Sequence, residues 1–209
     1  MKKKLVSLML ILTMVVSLVA CGDNGKEVES EKEVTTTEDS SEEVTDDSDV
    51  GEIVEENGLR KEPVITEKEL GEAGEAGPFK YEIEAIQISK LTATNDEMAE
   101  MLELEKDKEA TLVVMDISVE NTTEDTNYIY FDQATLTTNT KEQVEPDMLL
   151  SDYIDGEYLG NVVHSGSVFY ILKNTNADEL TNITLHVDAP YDESFDTIGD
   201  EVVIELEFK

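Results

Sequence analysis

From Phe79 to Lys209, apolar and polar positions alternate with a period of two, the pattern of strands with one buried face. "FKYEIEA" sets Phe79, Tyr81, Ile83 and Ala85 against Lys80, Glu82 and Glu84. The phase then flips at Ala85-Ile86, as a β-bulge inside a strand would make it do. "ATLVVMDISVEN" is apolar on both faces as far as Asp116, and "SVFYILKN" has five apolar residues in a row, so both read as central strands. "NYIYFDQATLT", "NITLHV" and "EVVIELEFK" supply further strands, separated by Asn, Asp, Gly and Pro clusters. One stretch breaks the period. Thr94 and Glu97 have capping-box spacing, Met98, Met101, Leu102 and Leu104 form an apolar side, and Lys106 and Lys108 follow. The pattern predicts an all-β fold. It is an antiparallel β-sandwich of six to eight strands, with one short helix of about two and a half turns between strands one and two.

The N-terminal end follows another logic. Lys2, Lys3 and Lys4 precede fifteen uncharged residues, Leu5 to Val19. That run is short for a membrane span of about 20 residues and fits the apolar region of a signal peptide over residues 1–20. Leu18-Val19-Ala20 leads into Cys21, the only cysteine in the chain. This resembles the bacterial lipobox, which implies cleavage after Ala20 and a lipid on the sulfur of Cys21. Two acyl chains hold a protein to a bilayer where one would leak. With a single cysteine, no disulfide within the chain can stabilise the fold.

Charge then separates a tether from a head. The chain carries 50 acidic and 15 basic residues, a net −35. Gly22 to Pro78 holds twenty acids, five bases and few apolar residues, so residues 21–78 read as a lipidated cysteine and a disordered acidic linker. Residues 79–209 read as one domain. So negative a surface cannot neutralise phosphates, which argues against nucleic-acid binding, and it leaves the lipid anchor as the membrane contact.

Three stretches carry a resemblance. "TLVVMDISVENTTED" is similar to the second-strand signature of an Ig-like domain of unknown function found in Gram-positive, Bacillota-type lipoproteins, where an alternating strand ends in an Asn-Thr turn. "VVHSGSVFYILKN" resembles the later Gly turn and Val/Phe-rich strand of that family. "FDQATLTTNTKEQVEPDMLLSD" resembles its middle. His164 and Ser165 stand where the family has a proline before the glycine. The resemblance implies an Ig-like sandwich fixed to the outer face of the cell membrane, and supplies no catalytic residues or cofactor.

Candidate chemistry is sparse. His164 and His186 are the only histidines; no set of three or four zinc ligands with suitable spacing is visible, and neither histidine sits in a recognisable nucleophile motif. "DAPYDESFDTIGDE" offers Asp188, Asp192, Asp196 and Asp200 as calcium candidates without EF-hand spacing. Aromatics on loops are the remaining signal. Tyr153 and Tyr158 in "DMLLSDYIDGEYLG", with Tyr191 and Phe195, are the expected partner-binding anchors. Three function classes follow: a non-enzymatic head binding a protein or envelope partner, a calcium or small-ligand binder, and, ranked last, an enzyme.

Overall fold

The computed structural model describes residues 51–208. Leu18, Val19, Ala20 and Cys21, with the acidic segment as far as Val50, lie outside the described residues.

Three strands come before Phe79: β1 (Val54–Glu56), β2 (Leu59–Glu67) and β3 (Glu72–Ala76). The linker expected to run to Pro78 is therefore corrected, because its last part belongs to the fold. The reason lies in β4 (Phe79–Ala93), which follows. One edge of β4 pairs from Phe79–Asn121 to Thr92–Glu109 with β5 (Glu109–Asn121). The other edge is a row of backbone N–H and C=O groups that also need partners. β3 pairs with its first part, Ala76 opposite Phe79, and β2 with its second, Leu59 opposite Ala93. β1 and β2 form a hairpin through Asn57 and Gly58, both at positive φ (50° and 80°). Gly58 also lies against the Asn95 side chain, and its carbonyl accepts the Thr94 N–H at 2.8 Å.

The phase flip in β4 is a bulge. Ile83 faces Ile117 and Ala85 faces Asp116, so Glu84 is the extra residue. Its free carbonyl accepts the N–H of Leu70, in the link between β2 and β3. The helix, α1 (Asp96–Met101), is shorter than expected. Its cap is Asn95, whose Oδ1 accepts the Met98 N–H at 2.8 Å, and not Thr94.

The remaining strands are β6 (Thr126–Tyr128), β7 (Thr135–Thr138), β8 (Gln143–Val144), β9 (Glu157–Leu159), β10 (Val163–Leu172), β11 (Asn182–Val187), β12 (Tyr191–Asp192) and β13 (Val202–Glu207). All pairings are antiparallel. The large sheet runs β1-β2-β4-β5-β10, with β3 on the β2 side of β4. The second runs β13-β11-β7-β8 and a small third sheet runs β12-β6-β9. This is the expected sandwich with a single short α-helix among the described residues.

The main core lies between the first two sheets. Ile83, Ile88, Met115 and Ile117 of one meet Leu136, Ile183, Leu185 and Ile204 of the other. Each such side chain, fully buried, contributes about 1.5–3 kcal/mol. Tyr170 is buried here, and its hydroxyl donates to the Ala134 carbonyl at 2.9 Å. A smaller cluster on the other face of the large sheet packs Leu91, Leu112 and Ile171 with Leu102, just after α1. Both faces of β5 are thus covered near its start, which explains its two-sided apolar run.

β10 departs from expectation. It pairs only with β5 and is an edge strand. Its apolar residues are two-sided because the two clusters lie on opposite faces of the sheet. Residues 147–152 cover its free edge. Asp147 and Asp152 N–H groups donate to the Phe169 and Ser167 carbonyls, and the Phe169 N–H donates to Ser151 Oγ at 2.9 Å.

A chain shortened to begin at Phe79 would leave one edge of β4 unpaired. By calorimetry it should melt several degrees or more below a chain beginning at Gly51. Equal melting temperatures would return residues 51–78 to the linker.

Candidate functional site

The small third sheet is built on one buried side chain. Asn121, fully buried at the end of β5, donates from Nδ2 to the Asp125 carbonyl (2.8 Å) and the Gly160 carbonyl (3.0 Å). Its Oδ1 accepts the Thr123 N–H, the Thr123 hydroxyl and Asn127 Nδ2. One amide thus ties the end of β5 to the start of β6 and the end of β9, with its polar groups satisfied.

On this frame the aromatic residues assemble. Tyr128 in β6 sits opposite Tyr191 on one side and Glu157 on the other. Its ring stacks on Tyr191 with centroids 5.0 Å apart and planes 10° apart. Its hydroxyl donates to Glu157 Oε1 at 2.8 Å, and mainly for that reason its pKa is pushed up to about 12. Tyr191 also stacks on Phe195 (5.7 Å) and lies 6.4 Å from Tyr130. The Tyr191 and Tyr130 hydroxyls are hydrogen-bonded at 3.4 Å, the main cause that takes the Tyr130 pKa to about 12. The Tyr130 ring lies against Gly156, where any Cβ would meet it. Tyr153 stands outside, 76% exposed, its hydroxyl on Asp155 Oδ1 at 3.3 Å, and the Asp155 charge raises its pKa. Tyr128, Tyr130 and Tyr153 are therefore neutral phenols at physiological pH.

Phe195 closes the ladder. It is 81% exposed and has φ 63°, the left-handed region. Left-handed backbone costs an L-residue about 1–2 kcal/mol, and a bulky residue there is an outlier. The turn that holds it is well bonded: Asp192 Oδ1 accepts the Ser194 and Asp196 N–H groups, and the Phe195 N–H donates to the Asp192 carbonyl. A cleft of about 640 Å³ opens beside the ladder, lined by Tyr130, Tyr191, Gln133, Thr135, His186 and Asp188 among others.

The structure brings three of the four expected anchors, Tyr153, Tyr191 and Phe195, to this end of the molecule. Tyr158 is corrected. It is 1% exposed, packed edge-on against Phe79 at 5.0 Å and stacked on His164 at 4.4 Å. Ile154, Gly156, Tyr158 and Gly160 are buried while Tyr153, Asp155, Glu157 and Leu159 are exposed. With a period of two, residues five apart face opposite ways. Sequence reasoning missed Tyr128 and Tyr130. The signal was present in "NYIYFDQ", where two tyrosines share one face and Ile129 and Phe131 the buried one.

The acidic loop, which holds Asp188, Asp192, Asp196 and Asp200, spends a carboxylate on its own backbone. Asp192 is engaged in the turn, and no group of three or more His, Cys, Asp or Glu among the described residues converges to hold a metal ion. The histidines have local partners. His164 Nδ1 donates to the Asp155 carbonyl at 2.7 Å, and His186 Nε2 lies 3.2 Å from Thr137 Oγ1.

Asp132 lies below the ladder, 1% exposed, with Oδ1 unpartnered. Burial, reinforced by the charge of Asp155, raises its pKa, against the pull of backbone N–H groups. The proton is therefore held more tightly in the folded state than in the unfolded one. The contribution of Asp132 to stability is fully present below the unfolded value near 4 and is lost as pH rises through the raised folded value. Asp132→Asn should raise the melting temperature at pH 7 by a few degrees, with the gain vanishing toward pH 3. A loss of stability at pH 7 would show that the charged form is the one the fold requires.

Comparison with known proteins agrees with the sequence and the fold. The chain is 26% identical over 160 residues to the SPbeta prophage-derived uncharacterized lipoprotein YonS of Bacillus subtilis, covering 75% of this chain and 70% of that protein. The fold is similar to that of a functionally unknown protein from Listeria monocytogenes, with a TM-score of 0.52 at 13% identity, covering 71% of this chain and 88% of that one. No protein-family profile matches the chain. The resemblance to Gram-positive lipoproteins of unknown function is borne out.

Proposed function

We propose that this chain is an exported lipoprotein, held on the outer face of the cell membrane by lipid on Cys21, whose Ig-like head is a non-enzymatic binding module for a protein or envelope partner. The similarity to a Bacillus subtilis lipoprotein supports the anchor, as does the run Leu18-Val19-Ala20-Cys21. The observation that carries the binding role is Phe195. An aromatic ring kept in solvent gains nothing from burial, and its left-handed backbone costs stability; such strain persists where a site uses it. The stack of Tyr128, Tyr191 and Phe195 beside Tyr153 gives a rigid apolar surface ready to be covered, of the kind that anchors interfaces. A small ligand is the second reading, and the cleft beside Tyr130 favours it.

Two experiments test this. In growing cells a palmitate analogue should label the wild-type chain and not Cys21→Ala; equal labelling would remove the anchor. A photo-crosslinking residue at position 153 should give a discrete adduct on intact cells, while the same residue at Glu97, at the far end by α1, should give none. Equal adducts at both positions, or none at 153, would overturn the binding face.

A further inference from the structure

Resting on that reading of the aromatic end, we infer that the occupant of the face is a cationic peptide segment, whose arginine or lysine side chains stack on Phe195 and Tyr153 and pair with the carboxylates around them.

The distribution of charge points this way. The three segments that build this end, residues 126–135, 145–160 and 186–201, carry twelve Asp and Glu and no Lys or Arg. The opposite end is where the lysine ion pairs gather. Lys90 pairs with Asp178 at 2.7 Å, Lys106 with Asp96 at 3.2 Å, Lys108 with Glu105 at 2.9 Å and Lys173 with Glu103 at 3.4 Å. The whole head is acidic, yet four of its lysines pair with acids at the end that holds α1, while the three segments of the aromatic end carry no base and leave their carboxylates to an outside cation. Fields from one-sided charge of this kind steer and select partners of opposite sign.

The chemistry of the rings agrees. A cation is attracted to an aromatic face, and more strongly when the ring is electron-rich. Tyr128 and Tyr153 each donate their hydroxyl to a carboxylate, Glu157 and Asp155, which pushes electron density onto the ring. A guanidinium laid on Tyr153 can reach Asp155 in its own plane, combining stacking with a charge-assisted hydrogen bond. The Phe195 side chain has no polar atom to offer, and Asp196 follows it with Glu193 two residues before, so a cation is also the ligand that its surroundings suit. A neutral sugar could lie on the same rings but would leave the carboxylates unmatched.

The test uses the full mature lipidated chain in phosphatidylcholine nanodiscs, whose lipid has no net charge. The probe is a fluorescent hexa-arginine peptide, read by anisotropy at 0.1 M salt. The acidic segment before residue 51 attracts this peptide equally in every variant, so the comparison among variants is what is read. Phe195→Ala leaves the charge untouched and should weaken binding about fivefold to tenfold. Glu97→Gln with Glu100→Gln removes two charges at the α1 end and should change it less than twofold. Phe195→Gly should weaken binding as much as Phe195→Ala while raising the melting temperature by a few degrees, which separates a lost contact from a damaged fold. Undiminished affinity in Phe195→Ala, together with weakening in the charge-neutralised α1 variant, would reduce the effect to general attraction and overturn the inference. A neutral N-acetylglucosamine hexamer is run in parallel. If that sugar binds in a Phe195-dependent way and the peptide does not, the cationic partner is overturned while the binding face stands. If neither depends on Phe195, both fall.

Discussion

The buried amide of Asn121 is the joint on which the candidate site depends. It ends the long pairing of β4 with β5 and spends its donors and acceptors on the Asp125 and Gly160 carbonyls, Thr123 and Asn127. β6 and β9 are three residues each, too short to hold a register alone; Tyr158 seats β9 in the core against Phe79, and the Asn121 joint fixes the ends of both strands. With it, Tyr128 is placed between Tyr191 and Glu157, and the ladder follows. The Asn-Thr turn that marks the resemblance to lipoprotein Ig-like domains thus has a structural role, joining a large sheet to a small one that displays side chains.

Much of the sandwich was legible because burial there is a matter of alternation. The strands from β4 onward that bury a full apolar face, and the bulge at Glu84, could be read from the phase of Ile, Val and Leu. The strands before Phe79 could not be read that way. β2 contains Leu59, Val64 and Ile65 among charges, none of them fully buried, and it is held by backbone pairing to β4 more than by a core face. Averaging charge over Gly22 to Pro78 hid a short folded stretch inside an acidic one. The readable sign was Asn57-Gly58, a hairpin turn that composition alone ignores.

The site was half legible for a related reason. Tyr153, Tyr191 and Phe195 stood out as aromatics on loops. Tyr158 was assigned with Tyr153 although the alternation of "YIDGEY" sends them to opposite faces. Tyr128 and Tyr130 were absorbed into a strand, since nothing local says that the outer face of that strand is itself a surface for stacking. The left-handed backbone at Phe195 and the empty charge balance of this end are properties of the folded chain. They are also what set this end apart from the rest of the acidic surface and support the proposed binding face.

The central claim is that an outside cation completes the aromatic end. The most direct measurement is a two-dimensional nitrogen–proton NMR titration of the chain with hexa-arginine, followed residue by residue. The account predicts shifts at the amides of Tyr128, Tyr130, Tyr153, Tyr191 and Phe195 that saturate together, while Asp96 to Met101 at the far end stay in place. Shifts that track acidic residues everywhere, α1 included, and leave the ladder unmoved would contradict it.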